Sequence, residues 1–151
     1  MSHVINIELE IKDLDALEAA CKALGLTYER ETTKWRWYGK WMNDYSGKDA
    51  AYKNKIDTNR YGTADAGVIK VPGATYDIGV YKVENGYALV YDNWQHGQGI
   101  ETTLGVGTPD LNKQYGAQVA MKRLRKMGFR ATAKEMRSAG RLDIKVHAIR
   151  Q

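Results

Sequence analysis

The chain has 151 residues, a formal net charge of +5 and a pI of about 9.2. This length suits one domain with a buried core, and the single cysteine, Cys21, excludes an intramolecular disulfide. No stretch is long and apolar enough to predict a membrane span, and the first residues do not resemble a signal peptide. We therefore expect a cytoplasmic protein with no membrane partner. The basic excess favours anionic partners but does not by itself indicate nucleic acid.

The N-terminal part predicts a strand followed by a helix. Residues 4–11 alternate between apolar and polar side chains, which is typical of a half-buried strand. Asp13 is the expected N-cap of the helix, and Gly25 its expected end. Cys21 falls on the apolar stripe of this helix, so we interpret it as a buried, inert thiol.

The middle of the chain predicts three strands, at residues 67–71, 76–83 and 87–94. The last two flank the tripeptide Glu84-Asn85-Gly86, and an Asn-Gly pair between alternating strands is a strong hairpin signal. The sequence therefore predicts that these two strands pair antiparallel.

The C-terminal part predicts a loop, a helix and a second hairpin. A glycine-rich loop is expected at residues 96–107, followed by a helix with Thr108 as N-cap and Pro109 as its first residue. The helix is expected to run to Gly128, with Ala117, Ala120, Leu124 and Met127 along its apolar side. We interpret the basic run KRLRK, residues 122–126, as a solvated helix end that complements the helix dipole. Residues 129–136 and 141–149 predict the hairpin.

These elements follow the order β-α-(insert)-β-β-β-α-β-β within a single domain, residues 1–151. Mostly alternating strands predict an α+β fold, a two-layer sandwich whose mainly antiparallel sheet carries two helices on one face. Residues 34–66 form the insert-like segment of this domain, which is rich in basic and aromatic residues.

Three parts of the sequence resemble a known family. They are the opening MSHVINIELEIKDLDALEAACKALGL, the hairpin YDIGVYKVENGYALVYDNW, and the closing segments LNKQYGAQVAMKRLRKMGF and GRLDIKVHAIRQ. They resemble the hypothetical-chloroplast-reading-frame family, a domain of unknown function seen in cyanobacteria, plastid genomes, other bacteria and bacteriophages. The resemblance implies the α+β order and no established activity. Segment 34–66 is longer and more basic-aromatic than the resemblance implies, so we expect this member's special role to involve it.

Residues 34–61 hold seven of the fourteen Trp and Tyr residues, and seven Lys or Arg against three Asp. Trp35 and Trp37 are expected on one face of a strand, with Arg36 and Tyr38 on the other. Rings stack on nucleobases and cations bind phosphates, so the segment predicts a pocket for an anionic, nucleotide-type ligand. The alternative is that the tryptophans pack on the sheet. The candidate ligand-binding residues are Lys34, Trp35, Arg36, Trp37, Tyr38, Lys40, Trp41, Tyr45, Tyr52, Lys53, Arg60, Tyr61, Trp94 and His96.

We interpret the protein as a non-catalytic binder that sequesters a small anionic ligand, of the kind a phage encodes, with a pocket that could form between subunits of a homo-oligomer. Two alternatives stay open. A nucleic-acid-binding module would use the same segment together with KRLRK, and an assembly protein would use its aromatic residues to dock a partner chain.

No metal or cofactor motif is present, because the three histidines are scattered and no Cys or His pair has ligand spacing. An enzyme is supported only by the presence of Asp77, Asp92 and His96, so we assign no catalytic residue.

Overall fold

The computed structural model describes residues 4–38, residue 56 and residues 58–150. Five strands, β1 (Val4–Asn6), β2 (Thr27–Glu29), β3 (Val68–Lys70), β4 (Ile78–Val83) and β5 (Gly86–Asp92), form the central sheet. Their order across the sheet is β1-β5-β4-β3-β2, and every neighbouring pair is antiparallel. The predicted α+β class with a mainly antiparallel sheet is confirmed, as is the β4–β5 hairpin, which turns at Glu84 and Asn85.

Three α-helices, not the predicted two, accompany the described sheet: α1 (Leu14–Ala23), α2 (Ile100–Leu104) and α3 (Pro109–Lys126). The extra helix α2 lies in the predicted glycine-rich loop, because Ile100 and Leu104 are buried in the core and stabilise one turn between glycines. None of the helices among the described residues is long and apolar enough to cross a membrane.

Helix α1 begins and ends where local chemistry predicts. Its N-cap Asp13 accepts a hydrogen bond from the backbone N–H of Ala16 at 3.0 Å, and Gly25 follows the helix with φ +75°. Cys21 is fully buried on the inner side, and burial, with a smaller effect of the nearby Glu18, raises its pKa to about 12. The interpretation of Cys21 as a buried thiol is confirmed.

Helix α3 begins at the predicted residue, but of the predicted stripe only Ala117 is buried. Leu111, Tyr115 and Met121 face the protein, whereas Met127 is 71% exposed. In the C-terminal half, Met121 is buried while Leu124 is only half-buried, so the predicted apolar stripe does not mark the packed face there. The Thr108 hydroxyl donates to the Asn112 side chain instead of capping the helix.

The predicted C-terminal hairpin consists of β6 (Phe129–Ser138) and β7 (Arg141–Arg150), which form a separate two-stranded antiparallel sheet. It packs on α3 and does not extend the central sheet. The first strand is shorter than the predicted residues 4–11, since regular pairing ends at Asn6 and Ile11 contacts Tyr87 through an isolated bridge.

Both faces of the central sheet are buried. The helices cover one face, where Ile69, Ile78 and Leu89 point into the larger core cluster. The opposite face carries Val68, Tyr81 and Val90, and side chains from the sequence's insert-like segment cover it: Trp35, Ile56, Tyr61 and Ala64. Alternation along each strand explains the division, because successive side chains point to opposite faces.

Candidate functional site

Trp35, the first ring of the predicted aromatic pocket, lies inside the molecule and is 3% exposed. Its indole Nε1 donates to the Tyr81 hydroxyl at 2.8 Å, and that hydroxyl donates to the Arg60 backbone carbonyl at 2.6 Å. The indole sits over Gly79 of β4, where a Cβ would lie 2.7 Å from Nε1. The Trp35 ring therefore packs against the sheet and is covered by the rest of the protein.

Trp37 continues the same packed layer. Its ring centroid lies 5.8 Å from that of Trp35 and 5.7 Å from that of Tyr61, which it meets edge-on. Trp37 is half-buried and Tyr61 is 6% exposed, while Arg36 and Tyr38 face outward. The alternation of residues 35–38 thus separates packed rings from exposed side chains.

Arg36 is held by a fully buried carboxylate, Asp77, which directly precedes β4. The guanidinium donates to Asp77 through Nη2 at 2.8 Å and Nε at 3.0 Å, and the Arg36 backbone N–H donates at 2.8 Å. Lys70 Nζ adds a fourth donor at 3.1 Å. Burial acts to raise the pKa of Asp77, but the hydrogen bonds from Arg36 and Lys70 outweigh it, and the pKa lies below its ordinary value.

A second fully buried carboxylate, Asp92, ends β5. It accepts hydrogen bonds from the backbone N–H of Tyr38 at 3.1 Å and of Trp94 at 2.9 Å. Extending the β4–β5 register by two residues places it across from Asp77. The two carboxylates hold residues 36–38 against the end of the sheet, so both have a structural use.

His96 is 79% exposed by its side chain, and its Nδ1 lies 3.3 Å from Glu101 Oε1. The opposite Glu101 oxygen accepts a hydrogen bond from the Tyr91 hydroxyl at 2.6 Å. Burial, and then this hydrogen bond, raises the pKa of Tyr91. His96 belongs to four consecutive residues, 95–98, in the left-handed region, which costs about 1–2 kcal/mol for each non-glycine residue.

The remaining predicted residues have separate surroundings. Arg60 lies over the Tyr81 ring and pairs with Asp65, and Lys34 Nζ donates to the Thr63 hydroxyl at 3.0 Å. Trp94 is half-buried against the helix-side core. Lys40, Trp41, Tyr45, Tyr52 and Lys53 lie outside the described residues. In the part of the segment that the structure describes, most rings pack against one another and against the sheet.

A groove of about 540 Å³ lies on the other side of the molecule, between residues 9–13 and helix α3. The helix lines it with Tyr115, Gly116, Val119, Lys122, Arg123 and Lys126, whose spacing of three to four residues defines one helical face. Leu9, Glu10, Lys12 and Asp13 line the other side. We call these ten residues the α3 groove.

Hydrogen bonds fix the two walls of the α3 groove. The Tyr115 hydroxyl accepts the backbone N–H groups of Lys12 at 3.0 Å and Asp13 at 3.2 Å. Lys122 Nζ donates to Asp13 Oδ2 at 2.6 Å, and this hydrogen bond is the main cause that lowers the pKa of Asp13. The walls are therefore connected before any ligand binds.

Four cations face two carboxylates in the α3 groove. Lys122 pairs with Asp13, and Lys12 Nζ lies 3.4 Å from Glu10. Arg123 and Lys126 have no acidic partner among residues 4–38, 56 and 58–150. Arg123 and Lys126 thus line the groove without an acidic partner among the described residues, one and two turns along α3 from the apolar Val119.

Sequence reasoning did not find the α3 groove. The run KRLRK contains three of its cations, but a helix-dipole role also explains that run. The helix that carries this run becomes one wall of a groove only because Tyr115 contacts residues 12 and 13, more than one hundred positions away. In the described part of the chain, no three His, Cys, Asp or Glu side chains are grouped to hold a metal ion.

The fold and the groove define an α+β domain with an antiparallel sheet, helices on one face and an aromatic layer on the other. The chain belongs to the family described as protein of unknown function (DUF1257), whose family model matches residues 20–144. The resemblance to a domain-of-unknown-function family is thereby confirmed. No curated protein and no solved structure matches the chain.

Proposed function

We propose that this protein is a non-catalytic binder of a small anionic ligand of nucleotide type, and that it acts in the cytoplasm by sequestering that ligand, as a phage-encoded protein would. The observation that carries the proposal is the α3 groove, in which Arg123 and Lys126, without an acidic partner among the described residues, share one helical face with the apolar Val119. A sequestering protein needs affinity and no chemical step, which fits a site built of cations and packing surfaces.

The size and charge of the α3 groove support a small ligand. Ligand pockets typically measure about 300–1,000 Å³, and the groove measures about 540 Å³. Arg123 and Lys126 can donate charge-assisted hydrogen bonds to phosphate oxygens. Leu9 and Val119 offer apolar surface to a base or sugar.

The polar groups of the groove are already engaged, which supports binding over catalysis. Asp13 caps helix α1 and pairs with Lys122, and its lowered pKa keeps it ionised at neutral pH. The Tyr115 hydroxyl already accepts two backbone N–H groups. Both residues act as parts of the wall, and neither is poised to transfer a proton.

The residues predicted from segment 34–61 remain a second location for the same ligand class. Of those that the structure describes, Lys34, Arg36, Tyr38 and Arg60 are exposed, and Arg36 and Arg60 are paired with Asp77 and Asp65. A pocket completed by a second copy of the chain also stays a prediction. Neither is needed for the α3 groove to bind.

Calorimetric titration with ATP, adenosine and inorganic triphosphate tests the proposal. We expect ATP to bind, adenosine to bind more weakly, and the double substitution Arg123→Gln/Lys126→Gln to weaken ATP binding at least about tenfold. The matched control Lys22→Gln/Lys82→Gln removes the same charge from exposed positions outside the groove and should retain wild-type affinity. Wild-type affinity in the groove variant, or no binding of either phosphate compound, would contradict it.

A further inference from the structure

The β6–β7 hairpin presents one face to helix α3 and the other to solvent. On the inner face Ala131 and Leu142 are buried, and Arg137 pairs with Asp110 of the helix. The outer face follows from the register, since paired residues of antiparallel strands share a face. It consists of the pairs Arg130–Ile149, Thr132–His147, Lys134–Lys145, Met136–Asp143 and Ser138–Arg141. We call these ten residues the hairpin outer face.

The hairpin outer face has four permanent cations and one acid. Lys134 and Lys145 stand directly opposite each other, an arrangement of like charges that destabilises a sheet. Arg141 pairs with Asp143 at 3.1 Å. In the part of the chain that the structure describes, Arg130, Lys134 and Lys145 have no acidic partner.

The cations are arranged along the ribbon and not around a point. Arg130 lies four pairs from Lys134 and Lys145, and Arg141 lies four pairs further on. At about 3.3 Å for each residue, this row is about 26 Å long. A row of this length is longer than one small anion can contact. Its charge therefore complements a polyanion.

We propose that the hairpin outer face docks duplex DNA, with the two-stranded ribbon in the major groove. The major groove of B-form DNA admits a two-stranded β-ribbon, whereas the deep, narrow major groove of A-form RNA does not. The cations contact phosphates. The exposed Met136, between the Lys134–Lys145 and Ser138–Arg141 pairs, and the exposed Ile149, opposite Arg130, are placed to contact base edges. This surface is separate from the α3 groove and does not depend on the function proposed for it.

Fluorescence anisotropy of the full chain with a labelled DNA duplex, over about 50 to 200 mM salt, tests this proposal. We expect Lys134→Gln/Lys145→Gln to weaken binding at least about tenfold at low salt and to reduce the salt slope by about 2. The control Lys22→Gln/Lys82→Gln removes the same charge elsewhere and should leave the slope unchanged. The groove variant Arg123→Gln/Lys126→Gln should also retain DNA binding, which separates this proposal from the previous one.

A measurement of stability shows whether the variant stays folded. Because Lys134 and Lys145 repel each other, their replacement should leave the urea midpoint unchanged or raise it. Lost DNA binding with an undiminished midpoint supports docking on this face. Equal binding by the double variant and the wild type, or equal affinity for an RNA duplex or single-stranded DNA, would overturn the proposal.

Discussion

Replacement of Asp77 by asparagine tests how residues 36–38 are held on the sheet. Asp77 is fully buried and accepts from the Arg36 guanidinium, the Arg36 backbone and Lys70. Asparagine keeps the shape but removes the charge, and its amide N–H₂ replaces one acceptor oxygen. The substitution therefore removes charge-assisted hydrogen bonds worth about 1.5–3 kcal/mol each relative to water.

The expected loss of unfolding free energy is smaller than for a wholly buried ion pair, because the two cations remain in contact with water. The side chains of Arg36 and Lys70 are 53% and 31% exposed. Breaking a fully buried pair costs about 3–5 kcal/mol, whereas these cations can be rehydrated after the change. We therefore expect Asp77→Asn to lower the unfolding free energy by about 2–3 kcal/mol at pH 7.

The difference should depend on pH with a defined sign. The pKa of Asp77 in the folded protein lies below its ordinary value of 3.8, so the ionised carboxylate stabilises the fold above that value. This stabilisation is lost as the pH falls through the folded-state pKa. The gap between wild type and Asp77→Asn should therefore be full at pH 7 and shrink below about pH 4.

Urea unfolding followed by circular dichroism measures this gap at each pH. The control is Asp143→Asn, which removes a half-exposed carboxylate paired with Arg141 at 3.1 Å and Lys113 at 3.9 Å, and it should cost at most about 1 kcal/mol. The reasoning would be refuted if Asp77→Asn lost no more unfolding free energy than the control. It would also be refuted if the difference in unfolding free energy between Asp77→Asn and the wild type stayed constant at acidic pH.

Three further substitutions test the aromatic layer and the groove helix. Tyr81→Phe leaves the buried Trp35 Nε1 without its acceptor and should lower the unfolding free energy by about 1–3 kcal/mol. Tyr87→Phe is the control, and equal losses in the two variants would mean that the hydrogen bond contributes nothing. Gly79→Ala places a methyl group 2.7 Å from the same indole and should cost about 1–3 kcal/mol, and an unchanged urea midpoint would show that Trp35 lies elsewhere. Gly116→Ala meets open space inside α3 and should raise the melting temperature through a gain of about 0.5–1 kcal/mol; a decrease would contradict that geometry.

Local elements were predictable because their causes act within a few residues. Asp13 caps α1 through a backbone N–H three positions away, and the turn at Glu84 and Asn85, followed by Gly86, joins β4 to β5. The short strand β2 was not predicted, whereas the equally short β3 was, because the apolar Val68 and Ile69 before the Pro72-Gly73 turn signal mark β3 and no such signal marks β2. The helical turn at Ile100 was missed because surrounding glycines indicate a loop, and only its burial in the core reveals it.

The candidate site was less predictable, because burial and partners depend on distant residues. The composition of residues 34–61 predicts a surface for a ligand, but it cannot tell a stacking surface from a packed layer. Trp35 packs on β4 because Gly79 leaves room for its ring and Tyr81 accepts its N–H, forty-six residues away in sequence.

The sequence by itself determined the α+β class and the antiparallel hairpins, since alternation, capping and turn residues act locally. Only the tertiary structure decided which charges are neutralised and which face solvent. Asp77 neutralises Arg36 from forty-one positions away, and Asp13 pairs with Lys122 from one hundred and nine. In contrast, Arg123, Lys126, Lys134 and Lys145 are left without acidic partners in the described part of the fold. The physical reason is that a charge pair forms wherever folding brings two side chains together, whatever their separation along the chain.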